Sequence, residues 1–466
     1  MVLRMPFTRT NSPTIANRFS KRDTKKASLI NANGKEYLVE VGVGTPPQYF
    51  NLTLDTGSSD FWVPSTACPV TMCPHTRFEN HTSSTFKQLP EPLIVDYGMG
   101  SARGVYATDA VTIGPATMND QTIGLVSTTV NILSETDEHS SNGIIGLGFP
   151  DLSTKQGTKP GHFVTGLYQS NIIPEPVFSV FLNSQFAYGK SGEVILGGTD
   201  TTKYNEKEMQ YLPVITYDIS AYDITPNLGA NSTKNGSYYY WSVPGQGVST
   251  STGYKSPSNV LLDFILDTGT TLTYVPTAIA KSIVMSVTST TRAPVLDTIN
   301  GAYRVNCELA KKSKATVQFM MSSSASTVST TPITITVPLS ELIIPADDAL
   351  TPEASLSCIF GIAPLPESYQ LTTGETWILG EATLRSIYSV YDLKENRIGL
   401  AKLSATSGVT NANTTETTKG TSSNPGAEQD NNTVTSPDEN NTSSSYCISP
   451  SNWAIVMLYI VTLYSF

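Results

Sequence analysis

The sequence predicts a mainly β protein built from two related lobes that face each other across a cleft. Two observations carry this prediction. Between residues 31 and 403, short apolar–polar alternations typical of strands recur, and helical periodicity is confined to a few short segments. Within the same region a ten-residue segment occurs twice, each time after an apolar run. A duplication in a matched context indicates two similar halves, which we place at residues 31–203 and 204–403.

The strand pattern is clearest at the start of this region. Apolar residues alternate from Tyr37 to Val43, a Gly-Thr-Pro-Pro turn follows at 44–47, and the alternation resumes at Phe50. Two further strands are predicted at 194–196 and 333–337. Short helices are predicted at 163–170, 277–287 and 383–387.

The duplicated segment is the strongest functional signal in the chain. It reads DTGSSDFWVP at 55–64 and DTGTTLTYVP at 267–276, with five positions identical. Trp62 is aligned with Tyr274 at a further position. Each copy is followed later by an apolar-apolar-Gly element, at 144–146 and 378–380.

The aspartates that open the two copies, Asp55 and Asp267, are the candidate catalytic residues. Each ends a predicted buried strand, and Gly57 and Gly269 allow the opposite chain to approach closely. A twofold relation between the lobes would bring the carboxyls face to face, where both cannot be ionised at once. The protonated carboxyl can donate to a carbonyl oxygen while the ionised one takes a proton from water. A lone Asp-Thr-Gly would indicate only a turn, but two matched copies predict acid–base hydrolysis.

From about residue 36 to residue 402 the chain resembles the pepsin-like family of aspartic proteases. The resemblance rests on the two Asp-Thr-Gly turns, on VDYGMGS at 95–101, on NGIIGLGFP at 142–150 and on the segment 377–401. It implies a bilobal acid protease fold with two pseudo-twofold-related β lobes. It also implies an endopeptidase that cleaves proteins and peptides at acidic pH, is inhibited by pepstatin-type compounds, works as a monomer and needs no cofactor or metal.

The resemblance further implies roles for the residues around the dyad. Ser58 and Thr270 stand where the family hydrogen-bonds the outer carboxylate oxygens. Thr56 and Thr268 stand where it links the two lobes.

A mobile hairpin that covers the cleft is also implied by the resemblance. Tyr97 and Gly98 match its tip, and Trp62 matches the usual partner of the tyrosine. Met99 departs from the family, which usually has Thr, Ser or Asp there, so a preference for basic substrates is not expected. Glu381 is a second departure, since the family usually has Asp. Residues 217–236 form a longer loop than is usual.

The cysteine content favours an oxidising compartment. Five cysteines comprise two local pairs and the leftover Cys447, with no Cys-x-x-Cys motif or His cluster to favour zinc. In the resembled family, the disulfide positions correspond to Cys68–Cys73 and Cys307–Cys358. Sequons at Asn80, Asn231 and Asn235 agree with export.

Composition excludes some functions. The net charge of −10 argues against a nucleic-acid partner, and only 4 histidines disfavour a His-based metal site or triad.

The two ends of the chain differ from the lobes. Residues 1–22 are basic and resemble the end of a prosegment, with processing predicted near Lys21-Arg22. The composition of residues 404–446, rich in Ser, Thr and Asn, predicts a stalk. Residues 447–466 form an apolar tail that suits a cleaved lipid-anchor signal; the less favoured alternative is a tail that stays attached and anchors weakly. A membrane contact is therefore expected only through this anchor, as in the fungal, GPI-anchored, yapsin- or candidapepsin-like type.

The predicted location is the secretory pathway, ending outside the cell, at its surface or in its wall, with the vacuole as the less favoured alternative. No secretion signal is visible in residues 1–22, so either the protein is not exported or its true start lies upstream; we favour the latter. Two other functions remain open: a pepsin-fold binding protein without catalysis, and a surface glycoprotein in which the stalk is the functional part. The intact Asp-Thr-Gly turns and Tyr97 favour the enzyme.

Overall fold

The computed structural model describes residues 2–9, 29–31, 37–97, 100–133, 141–153, 163–186, 189–220, 223–232, 235–298, 300–347, 349, 351–366 and 376–404. These ranges hold most of the two predicted lobes. Several predictions lie outside them: Gly98 and Met99, the processing site at Lys21-Arg22, the stalk beyond Ser404, and the apolar tail.

Strands are the main secondary structure in the first half of the described chain. Its strands are β1 (Leu3–Arg9), β2 (Leu29–Asn31), β3 (Tyr37–Val43), β4 (Gln48–Asp55), β5 (Phe61–Pro64), β6 (Lys87–Tyr97), β7 (Gly100–Ile113), β8 (Ala116–Val130), β9 (Ile144–Gly146), β10 (Val177–Leu182) and β11 (Gly189–Leu196).

The second half repeats this pattern. Its strands are β12 (Gln210–Pro213), β13 (Tyr217–Ser220), β14 (Asp223–Pro226), β15 (Ser242–Thr250), β16 (Leu262–Leu266), β17 (Thr273–Val275), β18 (Leu296–Asp297), β19 (Ala302–Val305), β20 (Thr316–Met321), β21 (Ile333–Pro338), β22 (Ile343–Pro345), β23 (Cys358–Phe360), β24 (Ile362–Pro364), β25 (Thr376–Leu379), β26 (Tyr388–Asp392) and β27 (Arg397–Ala401).

Helices are few and short, as predicted. They are α1 (Phe163–Gln169), α2 (Thr277–Val287), α3 (Leu309–Lys312) and α4 (Glu381–Leu384). Single turns of 3-10 helix lie at Asn80–Thr82, Pro150–Leu152, Glu206–Glu208, Gly229–Asn231, Leu339–Leu342 and Pro352–Ala354.

Two of the helix predictions match closely, and the third is displaced. α1 and α2 fall where apolar residues recur at helical spacing. The predicted helix at 383–387 instead begins at Glu381, because the carbonyl of Gly380 accepts the amide hydrogen bonds of Thr383 and Leu384. α3 was not predicted; its four residues, LAKK, are too few to show a period.

The described strands confirm a mainly β protein of two lobes. One sheet of fourteen strands runs from β12 through β27, β26, β10 and β11 to β1, and continues through the strands of the first lobe to β6. A second sheet of seven strands, β21-β20-β15-β16-β25-β17-β24, forms the base of the other lobe. Because β10 and β26 pair directly, the large sheet joins strands from both halves of the chain.

The two repeats occupy equivalent places in these sheets. β4 pairs in parallel with β9, and β9 pairs antiparallel with β5. In the other lobe β16 pairs in parallel with β25, and β25 pairs antiparallel with β17. The two apolar-apolar-Gly elements are thus the partner strands of the segments that carry Asp55 and Asp267, which explains why they recur with the repeat.

Both disulfides implied by the resemblance are formed, Cys68–Cys73 and Cys307–Cys358. The longer loop after β12 contains the hairpin β13–β14. Among the described residues, no helix has the length and apolar character needed to cross a bilayer.

Candidate active site

The two candidate aspartates meet at the centre of the molecule. Asp55 is the last residue of β4, Asp267 follows β16 directly, and the two are 2% and 1% exposed. A Cβ added at Gly57 would lie 2.6 Å from Oδ2 of Asp267, and one at Gly269 would lie 2.6 Å from Cγ of Asp55. Each turn therefore needs glycine because the carboxyl of the other lobe fills the space beside it.

Each carboxyl is held by its own turn. The Gly57 amide donates to Oδ1 of Asp55 at 2.8 Å, and the Ser58 hydroxyl donates to Oδ2. The equivalent residues of the second turn hold the carboxyl of Asp267 in the same way.

The Gly269 amide donates to Oδ1 of Asp267 at 2.8 Å, and the Thr270 hydroxyl donates to Oδ2 at 2.6 Å. These contacts fix the plane of each carboxyl, so neither can rotate away from its neighbour.

Two threonines tie the lobes together beneath the dyad. The Thr56 hydroxyl donates to the carbonyl of Leu266 at 2.8 Å, and the Thr268 hydroxyl donates to the carbonyl of Leu54 at 2.8 Å. Each hydroxyl also accepts the backbone amide of the other threonine, at 3.0 and 3.1 Å. All four bonds are buried and reciprocal, so a shift of one lobe would break them together.

The two carboxyls titrate as one coupled pair. Burial raises the pKa of both, and the nearby charge of Asp55 raises the pKa of Asp267 further. Hydrogen bonding between the two carboxyls lowers the pKa of Asp55 and raises that of Asp267. With one proton on the pair, one carboxyl is protonated and the other is ionised, and the two titrate as a unit.

The hairpin β6–β7 brings a tyrosine over this pair. The indole Nε1 of Trp62 donates to the Tyr97 hydroxyl at 2.7 Å, and Tyr97 is buried. Burial, followed by the charge of Asp55, holds the pKa of Tyr97 well above its ordinary value, so the phenol stays neutral. The structure thus brings Tyr97, Trp62 and the two aspartates into one region.

Known proteins show the same overall pattern. The family model for eukaryotic aspartyl proteases matches residues 36–403. The chain belongs to the eukaryotic aspartyl protease family. It is 31% identical to mucorpepsin of Rhizomucor miehei over 80% of this chain and 79% of that protein. It is 32% identical to gastricsin of Cavia porcellus over 78% and 79%.

A third relative is named for the vacuole. The chain is 29% identical to "Probable vacuolar protease A" of Trichophyton verrucosum, over 79% of this chain and 78% of the relative.

Sequence reasoning missed a buried carboxylate in this aspartyl protease. Asp263 is fully buried on β16, four residues before Asp267. It accepts hydrogen bonds from the hydroxyls of Ser242, Tyr217 (2.9 Å) and Thr376 (3.0 Å). Burial raises its pKa to about 6 despite these bonds. An acid inside the apolar run LLDFIL was the available signal.

A second missed acid supports the first turn. Asp60, inside the first repeat, accepts hydrogen bonds from Tyr106 and Ser153 at 2.7 Å each. These hydrogen bonds could not be predicted from the sequence, because both donors are more than 40 residues away along the chain.

The departure at Glu381 lies in a buried charged cluster. Glu381 is the first residue of α4 and is buried near the charge of Arg385. The Arg385 Nε donates to Oε2 of Glu341 at 3.2 Å, and Glu341 also accepts the Gln185 amide at 3.2 Å. The longer acid of this aspartyl protease thus has a buried cation nearby.

No group of three or more His, Cys, Asp or Glu side chains within the described ranges is arranged to hold a metal ion.

Proposed function

We propose that this aspartyl protease is an endopeptidase that hydrolyses peptide bonds in acid, using a water molecule activated between Asp55 and Asp267. One observation carries the proposal: two buried carboxyls from different lobes share a site in which burial and mutual charge favour a single retained proton. Protein and peptide substrates would lie in the cleft between the lobes.

The proposed step divides the work between the carboxyls. Ionised Asp55 accepts a proton from water as the oxygen attacks the peptide carbonyl carbon, while Asp267 donates its proton to the carbonyl oxygen. Asp55 then passes its proton to the leaving amine nitrogen as the C–N bond breaks, and ionised Asp267 takes a proton from a hydroxyl of the tetrahedral intermediate, which becomes the carboxylic acid; the dyad again holds one proton. The hydrogen bonds from Gly57 and Ser58 to Asp55 stabilise the charged form at the start of this cycle.

The proposed pH dependence follows from the pair. Activity requires one proton, so it falls in strong acid when both carboxyls are protonated, and it falls at high pH when both are ionised. Because burial and the charge of Asp55 raise the pKa of Asp267 well above the ordinary 3.8, the upper limb is displaced to higher pH.

The decisive experiment is cleavage of a denatured protein across pH 3 to 7. We expect acid activity that disappears in Asp55→Asn and is blocked by a pepstatin-type inhibitor. Asp120→Asn is the matched control, since Asp120 is an exposed acid of the same lobe whose backbone φ of 56° suits Asn. No cleavage by a folded sample lacking residues 1–22 would instead favour a binding protein without catalysis.

We also propose that the basic amino-terminal segment is a prosegment processed near Lys21-Arg22. In support, β1 lies in the large sheet beside β11, and the Arg4 Nη1 forms an ion pair with Asp200 at 2.5 Å. Although burial alone would raise it, hydrogen bonds from Thr202 and Arg4 lower the pKa of Asp200 to about 2. This contact therefore survives mild acid, so acid alone would not release β1 through it.

The test of this proposal is the amino terminus of the secreted protein. We expect it to follow Arg22 closely, and Lys21→Ala combined with Arg22→Ala to retain the longer form. A mature chain that still begins before residue 10 would contradict the proposal.

Finally, we propose that the protein is exported, glycosylated and attached to the cell surface by a GPI anchor, which is added at a residue upstream of the apolar tail when that tail is cleaved off. Two disulfides fit the secretory pathway, and the compositions of 404–446 and 447–466 support a stalk and a cleaved signal. Release of the protein from intact cells by a phosphatidylinositol-specific phospholipase tests the anchor. Accumulation in the vacuole would contradict it.

A further inference from the structure

The outer face of the hairpin β6–β7 carries a groove that the proposed protease mechanism does not use. The groove is a cavity of about 420 Å³, and its lining includes Asn80, Pro92, Ile94, Arg103, Val105 and Ser127. We call it the outer-flap groove.

The wall of the groove that Pro92 and Ile94 form lies on the opposite side of β6 from Tyr97. Residues of a strand alternate between its two faces. Ile94 is 49% exposed, whereas the next residue, Val95, is buried on the other face, and Tyr97 on that face points towards the dyad. Anything bound in the groove would therefore touch the hairpin without entering the cleft.

The lining combines apolar and polar groups. Ile94 and Pro92 offer aliphatic surface, and the half-exposed Arg103 adds N–H donors beside it. Arg103 is fixed by its Nη1 bond to the carbonyl of Val95 at 2.6 Å and by its ion pair with Asp96. Small-molecule sites commonly pair apolar walls with a few fixed polar groups, and a sugar presents C–H faces and hydroxyls that match both.

Asn80 places a modification site in the wall of this groove. Asn80, His81 and Thr82 form a sequon. The backbone there is pinned by Gln48, whose Nε2 donates to the carbonyl of Glu79 and to the Thr82 hydroxyl, each at 3.0 Å. The Asn80 carboxamide makes no hydrogen bond with the described residues, so replacing one of its N–H protons by a sugar breaks no internal bond.

We propose that Asn80 carries an N-linked glycan whose first sugars lie in the outer-flap groove and hold the β6–β7 hairpin against the body of the lobe. The proposal rests on the proposed export of the protein, because the donor is a lipid-pyrophosphate-linked oligosaccharide of the secretory pathway. The bond from Asn80 Nδ2 to the anomeric carbon forms, the sugar's bond to the pyrophosphate oxygen breaks, and Nδ2 loses one proton. Seated sugars would limit the excursions of the hairpin that carries Tyr97.

The first test is site occupancy. The chain is secreted from a eukaryotic host, and glycopeptides containing Asn80 and Asn235 are measured by mass spectrometry. We expect Asn80 to be modified, Asn80→Gln to remove that glycan, and Thr82→Ser, which preserves the sequon, to retain it. Modification of Asn235 with Asn80 bare would overturn this inference alone; if no glycopeptide of the secreted chain is found, the proposed glycosylation fails as well.

The second test asks whether the glycan occupies the groove. Hydrogen exchange is followed in peptides covering 92–96 and 101–105 before and after a native-state endoglycosidase treatment that leaves one sugar on Asn80. We expect exchange there to rise roughly fivefold on trimming and in Asn80→Gln, and Asn235→Gln to leave it unchanged. Unaltered exchange with Asn80 fully modified would overturn the seating of the sugars.

Two further readouts separate this inference from its alternatives. Protection of 92–96 that rises with protein concentration would assign the groove to a second copy of the chain and overturn the glycan. Peptide cleavage is measured in the same samples, so loss of protease function is recognised independently of the state of Asn80.

Discussion

The two lobes place an aspartate at the end of the same kind of strand, yet they surround that strand differently. Four residues before Asp55 stands Asn51, which is partly exposed. Four residues before Asp267 stands Asp263, which is fully buried and has a pKa raised to about 6. The lobes are thus equivalent in the contacts that orient the dyad, but a further buried acid is present beneath only one of these two strands. The chemistry is shared evenly, whereas the strand that leads to Asp267 carries a pH-sensitive acid that the strand leading to Asp55 lacks.

The largest expected effect tests the shared half of this comparison. Asp55→Asn and Asp267→Asn should each reduce kcat by about 10³-fold or more, since either change removes one member of the proton-sharing pair. The double variant should be no worse than either single one, because the two residues act as a unit. Residual activity in only one single variant would show that the lobes are not equivalent. Steady-state kinetics on one peptide substrate suffices.

The second prediction tests the unshared half. The native state binds a proton at Asp263 more tightly than the unfolded state, whose carboxyl has an ordinary pKa of 3.8. This contribution to the free energy of unfolding is full below pH 3.8 and is lost as pH rises towards about 6, by up to about 3 kcal/mol. Asp263→Asn should therefore flatten the fall in melting temperature between pH 4 and pH 6.

Asn51→Asp is the matched change in the other lobe. Its side chain is partly exposed, so we expect little alteration of the same pH profile. An unaltered slope in Asp263→Asn would remove Asp263 as the source of the difference between the lobes.

The third prediction concerns the bonds that join the lobes. Thr56→Val and Thr268→Val each leave one buried carbonyl and one buried amide without its hydroxyl partner, at about 2 kcal/mol of unfolding free energy each. Since the two hydroxyls lie in one reciprocal network, the double variant should cost less than the sum. Denaturant unfolding of the four proteins gives this coupling. Strict additivity would mean that the two sides act independently.

These comparisons also show what the sequence could predict. The two aspartates, the glycines and the threonines were predicted because they occur in both copies of the repeat, and each lies within a few residues of Asp55 or Asp267. Strands were predicted where apolar and polar residues alternate along the sequence. The partners of Asp60, Asp263 and Glu341 were not found, because they come from more than 20 residues away along the chain and no local period records them. The predicted start of α4 was wrong because the backbone carbonyl of Gly380 accepts the first hydrogen bonds of this helix, and no side-chain cap marks the position in the sequence.

The smallest expected effect concerns the position at which the repeats differ most in function, Trp62 in one lobe and Tyr274 in the other. Trp62 donates to the Tyr97 hydroxyl at 2.7 Å, so Trp62→Phe removes one buried hydrogen bond that holds the hairpin over the dyad. Loss of this hydrogen bond should cost about 1 kcal/mol of transition-state stabilisation, which predicts a roughly fivefold fall in kcat/KM with little change in the pH profile. Tyr274→Phe is the matched control and should leave kcat/KM unchanged, because Tyr274 lies on β17 within the other lobe's sheet. Equal losses in the two variants would mean that Trp62 acts through packing of the repeat, and that the hydrogen bond to Tyr97 does not set the position of the hairpin.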